Sequence, residues 1–392
     1  MHAPLDLATR HRRLAATDRT VPLFVDVDGT LTRADVSLES LVRIARSGLL
    51  ALLAMVAALL RGRAAAKAIA ARRDPLDPAA LPYRQEVLDL IAEAKANGQP
   101  VILASASHWR GIRRIARHLE LGEPVIATGA RANLKGEAKL AAIRERVGPD
   151  GAFDYVGDSR ADTCLWRAAR RGWSVGHVPP GMDVQVLGRC GRNGWRAIAR
   201  AMRPHQWAKN ALVLVPALTS GLFVEPAIFM TAVGAALFMS LIASAIYLVN
   251  DLLDIDADRV HPTKRERPLA CGDLTIPAAL ALAVALAGAG LAGGWLLGGA
   301  TLAFWFVAYM AITTAYSLRL KSVMAGDAVV LASLYTIRIW IGGVAIGVMI
   351  SFWLLLFSIF LFLSLAYLKR YVEMRDAIDP ERLLSGRGYV GG

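Results

Sequence analysis

Residues 250–258 read Asn-Asp-Leu-Leu-Asp-Ile-Asp-Ala-Asp, and they stand at the end of a long apolar run. Asp251, Asp254 and Asp258 are spaced i, i+3 and i+7, so a helix would place their carboxylates on one face. Such carboxylates repel one another unless a cation lies between them, and oxygen ligands without nearby Cys or His suit Mg²⁺. Carboxylates at the mouth of a membrane helix indicate a functional site. The alternative is a solvated acidic loop between two spans.

A basic cluster follows this acidic segment at once: Arg259, Lys264, Arg265 and Arg267. Metal-binding carboxylates beside cations form a site suited to a diphosphate, because the metal neutralises part of the anion and the cations bind the rest. We therefore predict that Lys264 and Arg267 bind a diphosphate substrate.

The composition predicts a membrane protein joined to a basic soluble half. Of the 392 residues, 55% are hydrophobic, and the mean hydropathy is +0.42. Residues 1–200 hold 31 Lys and Arg against 20 Asp and Glu, and residues 201–392 hold 14 against 12. A basic half of this kind suits contact with anionic lipid or anionic substrates, and no nucleic-acid partner is expected.

Targeting and redox signals are few. The three cysteines have neither metal nor disulfide spacing, which favours a reducing compartment. The first residues are polar and mixed, so no signal peptide is expected.

The apolar half predicts an all-α transmembrane bundle with about six spans, since each span needs about 20 apolar residues. The predicted spans are 209–224, 226–250, 274–297, 299–317, 324–346 and 349–369. Lys and Arg occur only in alternate loops, which predicts a single orientation by the positive-inside rule. It places the N-terminal half and the aspartate-rich segment in the cytoplasm, and the bundle in the inner (cytoplasmic) membrane.

Three more polar residues are candidates for the same site. Tyr316 and Lys321 flank the loop after the fourth predicted span, although Lys321 could equally be a positive-inside anchor. Arg338 lies inside the fifth predicted span, where a charge is costly unless it faces a partner or a polar cavity. We favour a cavity-lining role for Arg338.

These motifs together resemble the UbiA-type intramembrane prenyltransferase superfamily. The match rests on Asn250-Asp251-x-x-Asp254-x-x-x-Asp258, followed by Tyr316 and Lys321. A second group of motifs resembles the decaprenyl-phosphate phosphoribosyltransferase branch. It consists of Arg203-Pro204-x-Gln206-Trp207-x-Lys209-Asn210, Leu334-Tyr335-Thr336-x-Arg338 and Lys369-Arg370-Tyr371-x-Glu373. The similarity covers about residues 200–390.

The resemblance implies both a metal and substrates. In the superfamily two aspartate motifs hold Mg²⁺ on a prenyl diphosphate, and here Asn250 and the three aspartates would form the first. The second position, 368–375, carries cations instead. This suits one diphosphate on Mg²⁺ and one monophosphate held by Lys and Arg, so the expected substrates are phosphoribosyl diphosphate and a polyprenyl phosphate. Lys209, Asn210, Lys369 and Arg370 would then bind substrate.

Two alternatives to this function stay open. One is an aromatic or quinone prenyltransferase that uses a prenyl diphosphate, and the missing second aspartate motif argues against it.

The superfamily has about nine spans, so we expect a truncated bundle or a fragment here. The other alternative, an inactive lipid-binding scaffold, applies if that truncation is native.

The N-terminal half predicts a Rossmann-like parallel α/β domain, because apolar strands alternate with helical segments and end in polar groups. The first strand leads into Asp26-x-Asp28-Gly-Thr30, a second ends at Ser105, and a third leads into Gly-Asp158-Ser-Arg-Ala-Asp162. Lys135 starts another element between them. In such sheets the chemistry gathers at the carboxyl ends of the strands.

This order of motifs resembles the haloacid dehalogenase (HAD) superfamily of phosphatases over about residues 20–185. The resemblance implies that Asp26 is the nucleophile and that Asp28 protonates the leaving oxygen and then activates water. Ser105 and Lys135 would hold the phosphate. Asp26, the Asp28 carbonyl and Asp158 would bind Mg²⁺ with Asp162 in support. A binding-only domain is the alternative.

The predicted organisation is therefore multidomain. A tail (1–20) precedes a HAD-like phosphatase domain (21–185) with a cap insertion at about 35–85, and a basic linker (186–203) leads to the transmembrane transferase domain (204–392). Within the cap, the apolar run 48–60 is too short to span a membrane. It is either a buried cap helix or a helix in the membrane interface.

Overall fold

The computed structural model describes residues 21–46, 69–70, 76–122, 124–129, 134–176, 178, 180–188, 194–318 and 326–375. They divide into two compact units. The N-terminal unit holds the residues up to 197 together with Leu252–Ile276, and the membrane unit holds Ile198–Asp251 and the residues from 277 onward. The aspartate-rich segment thus groups largely with the N-terminal half.

The N-terminal unit is built on a six-stranded parallel sheet with the strand order β3-β2-β1-β4-β5-β6. The strands are β1 (Leu23–Val25), β2 (Val101–His108), β3 (Ile126–Thr128), β4 (Asp154–Gly157), β5 (Arg171–Ser174) and β6 (Val184–Val186). Central β1 is buried on both faces, with Leu23 and Val25 in one core cluster and Phe24 in the other. Successive strand residues point to opposite faces, so an unbroken apolar run suits a sheet covered on both sides. The predicted parallel α/β domain is confirmed.

Helices cover both faces of this sheet. They are α1 (Val36–Arg46), α2 (Gln85–Ala96), α3 (Trp109–His118), α4 (Glu137–Val147) and α5 (Thr163–Ala168). Residues of α2 and α3 join the cluster of Leu23, whereas residues of α4 and α5 join the cluster of Phe24. The strand order reverses between β1 and β4, and ligand sites of such sheets form in the crevice at this point.

The C-terminal half is helical. Its elements are α6 (Gly194–Met202), α7 (Val215–Thr219), α8 (Pro226–Leu253), α9 (Ile255–Val260), α10 (Ile276–Leu318), α11 (Gly326–Ile346) and α12 (Phe352–Arg375). Within the described residues, four helices are long and apolar enough to cross a membrane: α8, α10, α11 and α12. The protein is therefore a membrane protein, but the predicted count of six spans is not confirmed.

Two features account for the difference in span count. Helix α10 is broken by non-helical backbone at Gly298 and Gly299, and the predicted spans 274–297 and 299–317 correspond to its two arms. The predicted first span, 209–224, instead consists of parts of a 3₁₀ helix (Pro204–Leu214), the short α7 and a second 3₁₀ turn (Leu222–Val224). Pro216 lies within this stretch and lacks the N–H that a continuous helix would use at that position, which hydrophobicity alone does not register.

The 3₁₀ segment packs closely against α11 at one point. A Cβ atom added to Gly342 would lie 2.1 Å from the Val213 carbonyl oxygen, so only glycine allows this approach. The contact holds the 3₁₀ segment, which carries Lys209 and Asn210, against the helix that carries Arg338.

Candidate functional sites

The carboxyl ends of β1 and β2 bring together the residues predicted to act on phosphate. Asp26 directly follows β1 and is buried. The Asp28 carboxylate accepts hydrogen bonds from Ser105 Oγ at 2.8 Å and from Ser107 Oγ at 2.6 Å. It also accepts one from the main-chain nitrogen of Val36 at 2.8 Å, at the start of α1. Ser105 therefore lies at the site as predicted, and Ser107 is an addition.

The lysine at this site is Lys139, not the predicted Lys135. Lys139 Nζ lies 2.8 Å from Asp26 Oδ1 and 3.1 Å from the Tyr155 hydroxyl, and its side chain is buried. Lys135 is exposed and precedes α4. The two residues are four positions apart, and only the second lies within α4, on the face turned toward the sheet.

Three carboxylates meet between β1 and β4. One oxygen each of Asp26, Asp158 and Asp162 lies within 4.8 Å of the others, the only such group among the described residues. Asp162 Oδ2 accepts from Ser159 Oγ at 2.9 Å, and its Oδ1 accepts from the Tyr155 hydroxyl at 2.7 Å. All donor atoms of this group are oxygens, which fits Mg²⁺. Asp26 and Asp158 would bind the ion directly, and Asp162 would orient the residues around them. The Asp28 carboxylate is directed to the serines instead.

Burial and mutual repulsion raise the pKa values of these carboxyl groups. Burial, partly offset by Lys139, raises the pKa of Asp26 to about 6. Burial and the charges of Asp26 and Asp162 raise the pKa of Asp158 to about 7. Burial and nearby Asp35 raise the pKa of Asp28, which favours a carboxyl group able to carry a proton. A divalent cation would oppose the shifts at Asp26 and Asp158.

We predict that Lys139→Ala lowers hydrolysis of a phosphate monoester by about 100-fold or more, because removing one charge-stabilising donor costs that much. Lys135→Ala is the matched control, since it removes the same side chain four residues earlier, and it should keep near wild-type activity. Initial rates with a generic aryl phosphate measure both. A larger loss in the Lys135→Ala protein would contradict the assignment of Lys139.

We predict that Mg²⁺ stabilises the N-terminal unit more at pH 8 than at pH 5. A carboxyl group with a raised folded-state pKa contributes stability that is present at low pH and is lost as the pH rises through about 6 to 7. Mg²⁺ replaces the lost protons, so its addition should raise Tm by about 3 °C or more at pH 8. Scanning fluorimetry measures the shift, which should shrink at pH 5 and in Asp158→Asn. An equal shift at both pH values would refute the carboxylate cluster as its origin.

In the membrane unit, the predicted residues Arg338 and Asn210 contact each other directly. Arg338 Nε donates to Asn210 Oδ1 at 3.0 Å, and one guanidinium nitrogen donates to the Tyr309 hydroxyl at 2.7 Å. A third donor bonds the Leu334 carbonyl. The guanidinium also lies over the Tyr309 and Tyr335 rings, 5.0 and 5.3 Å from their centroids. Arg338 is thus held in a polar network among three elements of this unit.

Arginines pair with two of the three predicted metal-binding aspartates. In the membrane unit, buried Asp251 at the end of α8 forms an ion pair with Arg203. In the N-terminal unit, buried Asp258 accepts from Arg267 at 2.6 Å. The helix that would align the aspartates is interrupted, because α8 ends at Leu253 and α9 begins at Ile255. The sequence singled out Arg267 but not Arg203 as a partner of this segment.

A further carboxylate, Asp327, escaped the sequence analysis. It is fully buried at the start of α11, where it accepts from the Tyr316 hydroxyl at 2.5 Å and from Arg370 Nε at 2.5 Å. Tyr316 and Arg370, both predicted to bind substrate, are therefore joined through one acid. An acidic residue inside an apolar helix is itself a signal for function, and it could have identified Asp327.

The remaining predicted residues are more open. Asn250 and Asp254 are half-buried, and three lysines are exposed: Lys209, Lys264 and Lys369. Lys321 and the apolar run 48–60 lie outside the described residues.

The membrane unit also contains an apolar cavity of about 430 Å³ between α10, α11 and α12. Ile312, Leu334, Ile337, Trp340, Leu355 and Ile359 are among its lining residues. Leu334, whose carbonyl accepts from Arg338, thus connects the cavity wall to the polar network. Such an apolar space next to buried cations suits a lipid with a charged head group.

The apolar helices and the parallel sheet together define a multi-pass membrane protein that carries an N-terminal α/β domain. Comparison with known proteins supports this class. Residues 213–381 match the UbiA prenyltransferase family, and residues 23–167 match the haloacid dehalogenase-like hydrolases. The chain belongs to the UbiA prenyltransferase family and carries an N-terminal HAD domain. Both families indicate enzymatic activity.

Three relatives extend these matches. The y4nM protein of Sinorhizobium fredii is 36% identical over 96% of this chain and 74% of its own length. Decaprenyl-phosphate phosphoribosyltransferase of Mycobacterium tuberculosis is 41% identical over 50% of this chain, which covers 66% of that protein. The enzyme of the same name from Corynebacterium glutamicum is 40% identical over 45% of this chain, and 54% of its length is covered. This chain therefore spans only part of the two named transferases.

Proposed function

We propose that the membrane half transfers a phosphoribosyl group from phosphoribosyl diphosphate to a polyprenyl phosphate. The observation that carries this proposal is the chemistry at the end of α12. Where the wider superfamily has a second aspartate motif, this chain has Lys369 and Arg370. A cationic position suits one monophosphate better than a second metal-bound diphosphate. The 41% identity to a decaprenyl-phosphate phosphoribosyltransferase supports the same substrates.

In this proposal the polyprenyl phosphate oxygen attacks the anomeric carbon of the ribose, and diphosphate leaves with the electrons of the broken C–O bond. Asn250, Asp251, Asp254 and Asp258 are the residues that would hold Mg²⁺. When bound, the metal supplies charge neutralisation for the leaving diphosphate. Arg203 and Arg267 already donate to carboxylates, and a phosphate offers them the same acceptor chemistry.

The lipid phosphate needs its own cations. Arg338 has donors fixed by Asn210 and Tyr309, so its guanidinium is already oriented without the substrate. Arg370 is oriented in the same way by Asp327. We assign the lipid head group to this intramembrane set of cations, and the prenyl chain to the apolar cavity lined by Leu334.

We further propose that the N-terminal domain hydrolyses the 5-phosphate of the lipid product. Asp26 would attack the phosphorus, and Asp28, whose raised pKa favours its protonated form, would give its proton to the leaving sugar oxygen. Asp28 would then take a proton from the water that attacks the phosphorus and releases inorganic phosphate from Asp26. Lys139 would neutralise charge on the transferring group, and Mg²⁺ would bind Asp26 and Asp158. Because the two activities share one chain, the product meets the phosphatase at a high effective concentration. The loop charges support cytoplasmic placement of this domain and an inner-membrane location.

The donor test decides between this proposal and a prenyl-diphosphate enzyme. Membranes containing the full chain receive polyprenyl phosphate, Mg²⁺ and either labelled phosphoribosyl diphosphate or labelled prenyl diphosphate with an aromatic acceptor. We expect labelled lipid only from the first donor. Asp251→Ala and Asp254→Ala should each lower the labelled lipid by about 100-fold or more. Changing a residue that only orients a metal ligand lowers activity by roughly 10- to 100-fold, and losing the ligand itself should cost more.

Glu225→Ala is the matched control for that test, since Glu225 is an exposed acid just before the other end of α8. It should transfer at the wild-type rate. Label entering lipid from prenyl diphosphate alone would establish the aromatic or quinone alternative. Label from neither donor would contradict both enzymatic assignments.

We predict that Asp26→Asn leaves transfer intact but makes the phosphorylated ribosyl lipid accumulate. Loss of the nucleophile prevents the phosphoryl group from leaving the product. Thin-layer separation of labelled lipids measures the ratio of phosphorylated to dephosphorylated product, with Asp150→Asn, a change in a loop of the same domain, as the control. An unchanged ratio would mean that this domain acts on another phosphate ester.

A further inference from the structure

Helix α1 of the HAD domain forms ion pairs with the segment Leu252–Ile276, which belongs to the same compact unit. Glu39 receives two hydrogen bonds from Arg259, at 2.8 and 2.5 Å. Both side chains are at least 96% buried. Arg259 also donates to the Ala270 carbonyl at 3.0 Å, so one guanidinium connects α1 to two parts of the segment. A desolvated pair with paired bonds of this kind fixes geometry as well as charge.

A second pair repeats this contact one turn further along α1. Arg43 donates from two nitrogens to the two oxygens of Asp256, both at 2.8 Å. The same guanidinium lies 3.1 Å from Glu39, so the two pairs form one network. Arg43 and Asp256 have no role in either proposed reaction, and their contact therefore needs another explanation.

Backbone packing supports the ion pairs. Gly272 has a φ of +77°, and a Cβ atom added there would lie 2.4 Å from the Cβ of Arg33. Arg33 in turn forms an ion pair with Asp273 at 3.2 Å. Helix α9 also contacts the 3₁₀ turn Pro78–Ala80 of the cap region. The segment is thus held against the HAD domain at several points along its length.

We propose that α1 is a docking element that sets the conformation of the segment Leu252–Ile276 for phosphoribosyl transfer. The segment carries Asp254, Asp258, Lys264 and Arg267, all assigned above to the donor diphosphate, so the inference rests on the proposed function. Glu39 and Arg43 are then positioning residues for the transferase. The HAD domain contributes to transfer through its surface, independently of its own phosphatase chemistry.

The test uses the full chain in detergent and in membranes. Arg43→Ala removes one side of the network, and Arg43→Lys should retain much of it, because lysine keeps a positive charge beside both Glu39 and Asp256. Arg171→Ala is the matched control, because Arg171 forms a 2.6 Å ion pair with Asp154 elsewhere in the same unit. Two readouts are taken: amide hydrogen exchange of residues 252–276, and the KM for phosphoribosyl diphosphate with Mg²⁺.

We expect Arg43→Ala to speed amide hydrogen exchange in residues 252–276 and to raise the KM for phosphoribosyl diphosphate by about tenfold. Losing a residue that orients metal ligands costs roughly 10- to 100-fold, and tenfold is the lower end of that range. The KM for polyprenyl phosphate should stay unchanged, and both readouts should be closer to wild type in Arg43→Lys than in Arg43→Ala. Unchanged exchange in Arg43→Ala would overturn the docking. Faster exchange with an unchanged donor KM would overturn the positioning role. Absence of transfer in the wild type would refute the proposed function instead, and the exchange data would still decide the docking.

Discussion

The described structure depends on neutralising carboxylates that are removed from water. Burying a single ion costs several kcal/mol, and removing one partner from a buried pair costs about 3–5 kcal/mol. In this chain the acidic residues of interest are matched by cations in five pairs: Asp26–Lys139, Glu39–Arg259, Asp251–Arg203, Asp258–Arg267 and Asp327–Arg370. Each pair orients two side chains at once. Four of the five cations, all except Arg259, are also proposed to bind phosphate groups of the substrates.

The sequence predicted the parts of the N-terminal site that follow from topology. Asp26 and Asp158 directly follow strands, and Ser105 lies in the carboxyl-terminal half of β2 (Val101–His108), which continues past the predicted end at Ser105. Parallel strands present their carboxyl ends at one edge, so the strand pattern was enough to predict that these residues meet. The choice between Lys135 and Lys139 depended on where α4 begins and which face it buries. Local sequence does not determine either, because both lysines stand in the same short polar stretch.

In the membrane half, pairings were harder to predict than individual residues. Arg338 was identifiable because a charge inside an apolar helix is rare, whereas Arg370 was singled out by the resemblance to the phosphoribosyltransferase branch. Their partners Tyr309 and Asp327 lie 29 and 43 residues away along the chain, and only the helix packing brings them together. The first predicted span failed for a related reason. Hydrophobicity measures how apolar a stretch is, but it does not register that Pro216 lacks the N–H of a continuous helix.

The segment Leu252–Ile276 links the sequence of the transferase half to the fold of the HAD domain. Its aspartates belong by sequence to the transferase, yet its contacts are with α1 of the HAD domain. Helix α1 begins where Asp28 binds the Val36 nitrogen and continues to the network of Glu39 and Arg43. One helix therefore contacts both the site around Asp28 and the segment assigned to the donor.

We propose that one chain transfers a phosphoribosyl group to lipid and then removes its 5-phosphate. A time course with doubly labelled phosphoribosyl diphosphate tests it most directly, with radiocarbon in the ribose ring and radiophosphorus at the 5-phosphate. The purified full chain is placed in vesicles with polyprenyl phosphate and Mg²⁺. We expect radiocarbon to accumulate in lipid while the ratio of radiophosphorus to radiocarbon falls and labelled inorganic phosphate appears. A constant ratio in the lipid, or a lipid without radiocarbon, would contradict it.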